Sequence, residues 1–183
     1  MIKRQCFLTD TDTEVPALTA SQMREVDRIA MRETGPNLFQ MMENAGRSLA
    51  EMALERLGGD WQKARVVVLA GTGGNGGGGI TATRQLANRG ARVELCLAAF
   101  GQAQRGVPSW TMTLALPKSG LSQSKVGQLV LADIGIPAET YRSIGVSYSS
   151  PFDDRFRVPL FVQTKTDVAG VGEVLQQGSW RKN

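Results

Sequence analysis

Seven glycines fall within the nine residues of GTGGNGGGG, Gly71 to Gly79, directly after the apolar run Arg65 to Ala70 and before a helical pattern read from Ile80 to Gly90. A strand that feeds a glycine loop at the mouth of a helix leaves main-chain N–H groups without internal partners, and such groups bind a phosphate or another anion without any side chain. Gly71, Gly73 and Gly76 satisfy G-x-G-x-x-G in that context. Glycines also make sharp strand-to-helix turns and allow close packing. Seven of them in one turn add more unfolded-state entropy than a turn requires, so the stretch is read as an anion-binding loop. An ordinary dinucleotide fold also wants an acid at the end of the second strand for the ribose hydroxyls. Here Glu94 stands in the middle of RVELCLAA and the strand is read to end at Ala98, Ala99 and Phe100, which argues against a standard NAD dehydrogenase.

The chain has no histidine, so proton transfer falls to Asp, Glu, Lys or Tyr, and a leading zinc ligand is missing. Its 183 residues, 42% hydrophobic, suit one domain with one core. The +4 net charge comes from dispersed Lys and Arg among few aromatics, unlike a nucleic-acid surface. No stretch reaches the length of a membrane span, and MIKRQCFLTD is too polar for a signal sequence. Cys6 and Cys96 make no metal-like pair; Cys96, in an apolar strand, is expected as a buried reduced thiol, in keeping with a cytoplasmic setting.

These residues must be positioned by surrounding elements. Thr19 with Gln22 forms a capping box for a first helix whose apolar face is Met23, Val26, Ile29 and Ala30. Gly35 and Pro36 end it. Asn37 caps a second helix carrying Leu38, Met41, Met42, Ala45, Leu49, Met52 and Ala53 on one face and stopping at Gly58 and Gly59. Within it, Gly46 costs about 1 kcal/mol relative to alanine, which implies close packing there, against a sheet, with Glu43 in solvent. After RVELCLAA come GQAQRGVPSW, the strand TMTLALP, the turn KSGLSQSKVG and the strand QLVLADIGIP, read to end at Pro137. The link between Phe100 and Thr111 is too short for a helical crossover. The Thr111 strand is therefore expected either to pair antiparallel or to be reached across the sheet without helical cover, leaving apolar surface near an edge.

The succession ASQMREVDRIA, NLFQMMENAGRSLAEMAL, VVVLAGTGGNGGGG, TATRQLANRGARVELCL, TLALPKSGL and LVLADIGIP resembles the NAD(P)H-hydrate epimerase family, the YjeF N-terminal type, in that order and over most of residues 16–145. The resemblance implies an α/β fold, a Rossmann-like three-layer sandwich in truncated form with two N-terminal helices ahead of the sheet. It implies an isomerase of metabolite repair that interconverts the R and S epimers of hydrated NADH and NADPH. The family loop NNGGDG corresponds to Gly74, Asn75, Gly76, Gly77, Gly78 and Gly79, so Gly74 to Gly78 are the implied substrate-binding residues and Asn75 the implied potassium ligand. Family segments resembling DALFGTGL and DxPSG, the second of which carries the catalytic aspartate, have no counterpart between RVELCL and TLALPK, and no catalytic residue is assigned. Asp133, Lys118, Tyr141 and Tyr148 are the remaining candidates to replace it, although capping, surface and packing roles suit them better. A non-catalytic nucleotide-binding or scaffolding relative is the alternative function. Loss of interior strands predicts uncovered apolar faces, with dimerisation as compensation, and the resemblance further implies a separate hydrate dehydratase as partner.

Residues 1–160 are read as the family-like domain and 161–183 as a tail, within which VAGVGEVLQQGSW has spacing compatible with a short helix. The adjacent Asp153 and Asp154 are read as turn residues.

Overall fold

A computed structural model describes residues 2–97, 107–167 and 174–176. The chain adopts the expected α/β, Rossmann-like fold; the expected capping box forms at the first helix, and the Asn37 cap of the second is completed into a box by Gln40. At α1 (Ala20–Ile29) the Thr19 hydroxyl accepts from the Gln22 N–H at 3.2 Å, and Gln22 Oε1 accepts from the Thr19 N–H at 2.9 Å. Asn37 and Gln40 make the same reciprocal pair at α2 (Leu38–Leu57), at 3.0 and 2.8 Å. Two orphan N–H groups are satisfied at each start, which fixes where the helices begin.

Ahead of them lie two strands that the polar N-terminus concealed. β1 (Ile2–Thr9) pairs antiparallel along its whole length with β7 (Arg157–Asp167), and β2 (Glu14–Val15) pairs with β1. The main sheet runs β2, β1, β7, β6 (Gln128–Ala132), β5 (Trp110–Leu114). β8 (Val174–Gln176) pairs antiparallel with Thr164–Thr166 of β7. Two expectations change here. β7 runs through the boundary drawn at residue 160, and Val174–Gln176 is strand where a helix was expected, because each finds a ladder partner on the main sheet. β6 also ends earlier than Pro137, and α5 (Ala138–Ser143) follows it after a turn. The turn after β5 contains the single helical turn α4 (Gln123–Val126).

The parallel strands divide into two sheets. β5 pairs parallel with β6, not antiparallel, while β3 (Arg65–Ala70) and β4 (Arg92–Leu97) form a two-stranded parallel ribbon of their own. The connection between β4 and β5 lies largely outside the described residues, as do Ala98, Ala99 and Phe100. The ribbon keeps apolar surface uncovered, with Leu69 77% and Leu97 71% exposed, as expected where interior strands are lost. Cys96 is likewise exposed rather than buried, opposite the exposed Leu69 in the ribbon's register; Cys6 is buried.

The main core lies between the larger sheet and α1, α2 and α5, and gathers Phe7, Val26, Met41, Leu116, Leu131 and Tyr141. A second, smaller core holds Ala50, Ala82, Leu86 and Ala91 between α2, α3 (Gly74–Ala87) and the β3–β4 ribbon. α2 is common to both: Met41 and Ala45 enter the first, Ala50 the second. Arg157 of β7 reaches α2 through Glu55 at 2.5 Å, which ties the helix to the main sheet.

Candidate functional site

Helix α3 begins at Gly74, not at Ile80, so the glycine stretch is a loop only as far as Gly73. Tertiary packing explains why residues of poor helix propensity are helical here. A Cβ on Gly76 would overlap the Gly71 carbonyl, one on Gly77 would come within 2.6 Å of the Met42 sulfur, and one on Gly79 would touch Val68 and Ala70. Across the same contact Gly46 of α2 lies against Thr81 and Ala82 of α3, so the close packing expected at Gly46 is made with a helix and not with the sheet. Glu43 accepts from Arg84 and from Gln85 of α3, and the Arg84 guanidinium holds its carboxyl below the usual range. Glu43 is thus part of the α2–α3 contact rather than merely solvated.

The stretch therefore has two functions. Gly76 and Gly77 let α3 approach its neighbours, whereas Gly71, Gly73 and Gly74 face open space. Gly73 takes φ +94°, a conformation suited to glycine, and turns the chain into the helix. The first main-chain bond of α3 runs from the Gly77 N–H to the Gly73 carbonyl, so the amides of Gly74, Asn75 and Gly76 precede the ladder. They stand at the positive end of the helix dipole.

Gly74 and Asn75 line a cavity of ≈ 220 Å³ whose other walls come from α1, α2 and the ends of β5 and β6. Its surface is mainly Met23, Met31, Met41, Met42, Leu38 and Ile134, with two charged residues, Asp27 and Lys118. Lys118 is fixed from both sides: residues 18 and 118 form an isolated bridge, and its ammonium donates to the carbonyls of Leu114 at 2.8 Å and Leu116 at 2.9 Å. Burial lowers its pKa to about 8, against the opposing pull of Asp27. Burial raises Asp27, and Lys118 partly offsets that. Asn75 and Lys118 also line a neighbouring cavity of ≈ 470 Å³ that opens along β5, from Trp110 to Leu114.

Of the candidates to replace a missing carboxylate, only Lys118 shares a cavity with the glycine-loop residues, and it is a wall residue rather than a surface one. Asp133 accepts from the Gly135 N–H at 2.7 Å in a turn beyond β6. Tyr141 is buried against Tyr148, with ring centres 4.4 Å apart, and burial pushes both phenols up, away from proton exchange near neutrality. Asp153, with φ +50°, is a turn residue as read. Asp27 was not singled out from the sequence, although it falls four residues after Met23 and three before Ala30, an acid on an otherwise apolar helix stripe.

A family pattern described as YjeF-related protein N-terminus matches residues 38–115, from α2 to the end of β5. An NAD(P)H-hydrate epimerase of Dehalogenimonas lykanthroporepellens is 34% identical over 228 aligned positions, covering 80% of this chain and 93% of that protein. The alignment is longer than the 183-residue chain, so that relative carries interior residues without counterparts here. A bifunctional NAD(P)H-hydrate repair enzyme Nnr of Salinibacter ruber is 42% identical over 83 residues, 45% of this chain and 15% of that much longer protein. In three dimensions the chain resembles the crystal structure of yeast ynu0 with a TM-score of 0.57 at 15% identity, over 75% of this chain and 98% of that one, a likeness of fold.

Proposed function

Since this chain belongs to the NAD(P)H-hydrate epimerase family of the YjeF N-terminal type, we propose that it binds hydrated NADH or NADPH and serves the repair of these nucleotides by exchanging their R and S epimers. The observation that carries this reading is the open N-terminus of α3, where the amides of Gly74, Asn75 and Gly76 meet a largely apolar cavity. In this reading Gly74 to Gly78 form the substrate-binding segment: the first amides donate to the diphosphate, and Gly76 to Gly78 keep the helix close enough to its supports to present them. Exchange at the hydrated ring carbon requires oxygen to leave and return beside the ring nitrogen, with a proton carrier in reach. Asp27 and Lys118 are the charged residues lining the cavity that Gly74 and Asn75 enter.

A second reading, binding without turnover, draws on the separation of β3–β4 from β5–β6. Ligands of open α/β sheets collect where neighbouring strands end together, and here those strand ends belong to two sheets. The readings part in one experiment. Interconversion of the two NADPH-hydrate epimers, followed by chromatography with folded protein, accelerates over the spontaneous rate in the first; in the second the protein is stabilised by NADPH or ADP-ribose while the rate stays spontaneous.

The potassium ion implied at Asn75 has a poor fit. Asn75 brings one amide oxygen to the positive end of a helix, and the nearby Leu114 and Leu116 carbonyls already hold the Lys118 ammonium. A monovalent cation needs a shell of oxygens in place of its water, so no step is derived through it. The same proposal includes a cytoplasmic setting and a separate dehydratase that consumes the exchanged epimer. Among the described residues no helix is long and apolar enough to cross a membrane.

A further inference from the structure

The cavity below Gly74 and Asn75 is apolar except for Asp27 and Lys118, and each retains unused hydrogen-bonding capacity. An ammonium has three N–H donors; Lys118 spends two on Leu114 and Leu116. Among the described residues no donor bonds the Asp27 carboxylate, which Lys118 influences through space but does not bond. One donor and one acceptor thus stand together against methionine walls, inside a volume of ≈ 220 Å³ where a water molecule's share is about 30 Å³. Both side chains are half-buried, so water reaches their remaining sites, and a ligand that replaces this water with matched bonds against apolar walls is favoured. Methionine sulfur also packs well against the edge of an aromatic ring.

We propose that Asp27 and Lys118 form a recognition pair for a planar heteroaromatic ring bearing a donor and an acceptor side by side, whose diphosphate lies at Gly74 and Asn75. This rests on the nucleotide reading above and adds where the ring goes and what reads it. Both ends of a nicotinamide dinucleotide carry the required edge: the carboxamide of nicotinamide and the amino-to-ring-nitrogen edge of adenine. Asp27 accepts from the NH2 group, Lys118 donates to the acceptor, and the methionines cover the faces.

The test measures affinity for NADP, nicotinamide mononucleotide, ADP-ribose and inorganic pyrophosphate with the parent protein and with Asp27→Asn and Lys118→Met. A lost hydrogen bond to a charged group predicts roughly ten- to hundredfold weaker NADP binding by Lys118→Met, and Asp27→Asn, which keeps an acceptor but loses its charge, predicts a weakening of several-fold, with pyrophosphate unchanged in both. Loss shared by the mononucleotide identifies the nicotinamide as the ring; loss shared by ADP-ribose identifies adenine. In the nicotinamide case, replacing carboxamide by carboxylate (nicotinic acid adenine dinucleotide) weakens the parent and is tolerated by Asp27→Asn, which a purely structural defect would not reproduce. In the adenine case the hypoxanthine analogue shows the same relief. NADP affinity unchanged in both folded variants overturns the recognition pair and leaves the nucleotide reading standing; should the parent protein bind neither NADP nor pyrophosphate, the nucleotide reading itself fails. If Lys118→Met does not fold, Asp27→Asn, nearly equal in size, decides alone.

Discussion

Replacing Gly46 by alanine tests whether the glycines of this chain serve helix contact. Alanine in the middle of a helix is favoured over glycine by about 1 kcal/mol. Propensity alone therefore predicts a more stable protein. The structure predicts the reverse. The added Cβ would overlap the Cβ and Cγ2 of Thr81 and lie 2.9 Å from the Ala82 nitrogen, a backbone atom that cannot turn aside. Overpacking of this kind costs typically 1–3 kcal/mol, sometimes more, and contact with backbone puts it at the upper end. The net loss is about 2 kcal/mol, or roughly 4–8 °C in Tm for a chain of this size. Gly74→Ala supplies the contrast, because nothing lies within 4 Å of its Cβ. There the propensity gain is unopposed, and Tm holds or rises. Thermal denaturation followed by circular dichroism reads both. The double variant Gly46→Ala with Thr81→Gly should lose less than the sum of its parts, since removing the Thr81 side chain takes away the two shortest contacts and leaves only the one to the Ala82 nitrogen. An unchanged or raised Tm for Gly46→Ala, or strict additivity in the double variant, would refute the claim that α2 and α3 meet through Gly46.

The depressed Lys118 pKa gives stability a pH dependence with a definite sign. Its folded value of about 8 lies below the ordinary 10.5, so between these pH values the unfolded chain binds more protons and stability from this group rises with pH; urea titrations of Lys118→Met should show a flatter slope over pH 8–10.5 than the parent, and equal slopes would exclude a buried ammonium. Because the Asn75 surroundings do not complete a potassium shell, NADP affinity at fixed ionic strength should be the same in potassium and in choline chloride, and a several-fold preference for potassium by calorimetry would contradict the fit argument. The uncovered face of β3, with Val67 51% and Leu69 77% exposed, should drive self-association; Leu69→Asp is expected to move the chain toward monomer on size exclusion, and an identical elution profile for both proteins would count against that face.

Much of this organisation is legible locally and some of it is not. The Thr19–Gln22 capping box and the Asn37 cap are legible because a cap is a contract between residues a few positions apart; Gln40, which completes a second box with Asn37, is seen in the structure. The strand-to-helix order around the glycines was legible for the same reason. The true start of α3 is not: Gly74 to Gly79 have the wrong propensity, and only tertiary contact shows why glycine stands at Gly76, against the Gly71 carbonyl, and at Gly77, against Met42. β1 was hidden because its partner β7 lies at the far end of the chain, with Cys6 opposite Gln163, and strand preference follows pairing and burial more than residue type. The same pairing carries β7 past residue 160 into TKTD, whose polar composition reads as a tail. At the candidate site, the glycine turn after the strand is legible in GTGGNGGGG, but Asp27 is not, since its place depends on α1 sharing a cavity with Lys118.

The two cores account for how the proposed nucleotide site is held together. Gly74 and Asn75 ride on α3, which is anchored in the smaller core through Ala82 and Leu86. Asp27 and Lys118 belong to elements of the main core, in which Val26 and Leu116 are fully buried neighbours. A continuous parallel sheet would ordinarily register two such groups against each other; here the parallel strands are split between two sheets. α2 takes over that function, because it buries Met41 and Ala45 in one core and Ala50 in the other, is tied to β7 by Arg157, and holds α3 through Gly46 and Glu43. The distance from the Gly74 and Asn75 amides to Asp27 and Lys118 is thus set by a helix. A ligand that touches both ends acts as a second tie between the cores, so it stabilises the β3–α3–β4 unit more than a phosphate bound at the α3 amides alone, in proportion to how much it favours the docked arrangement over the loosened one.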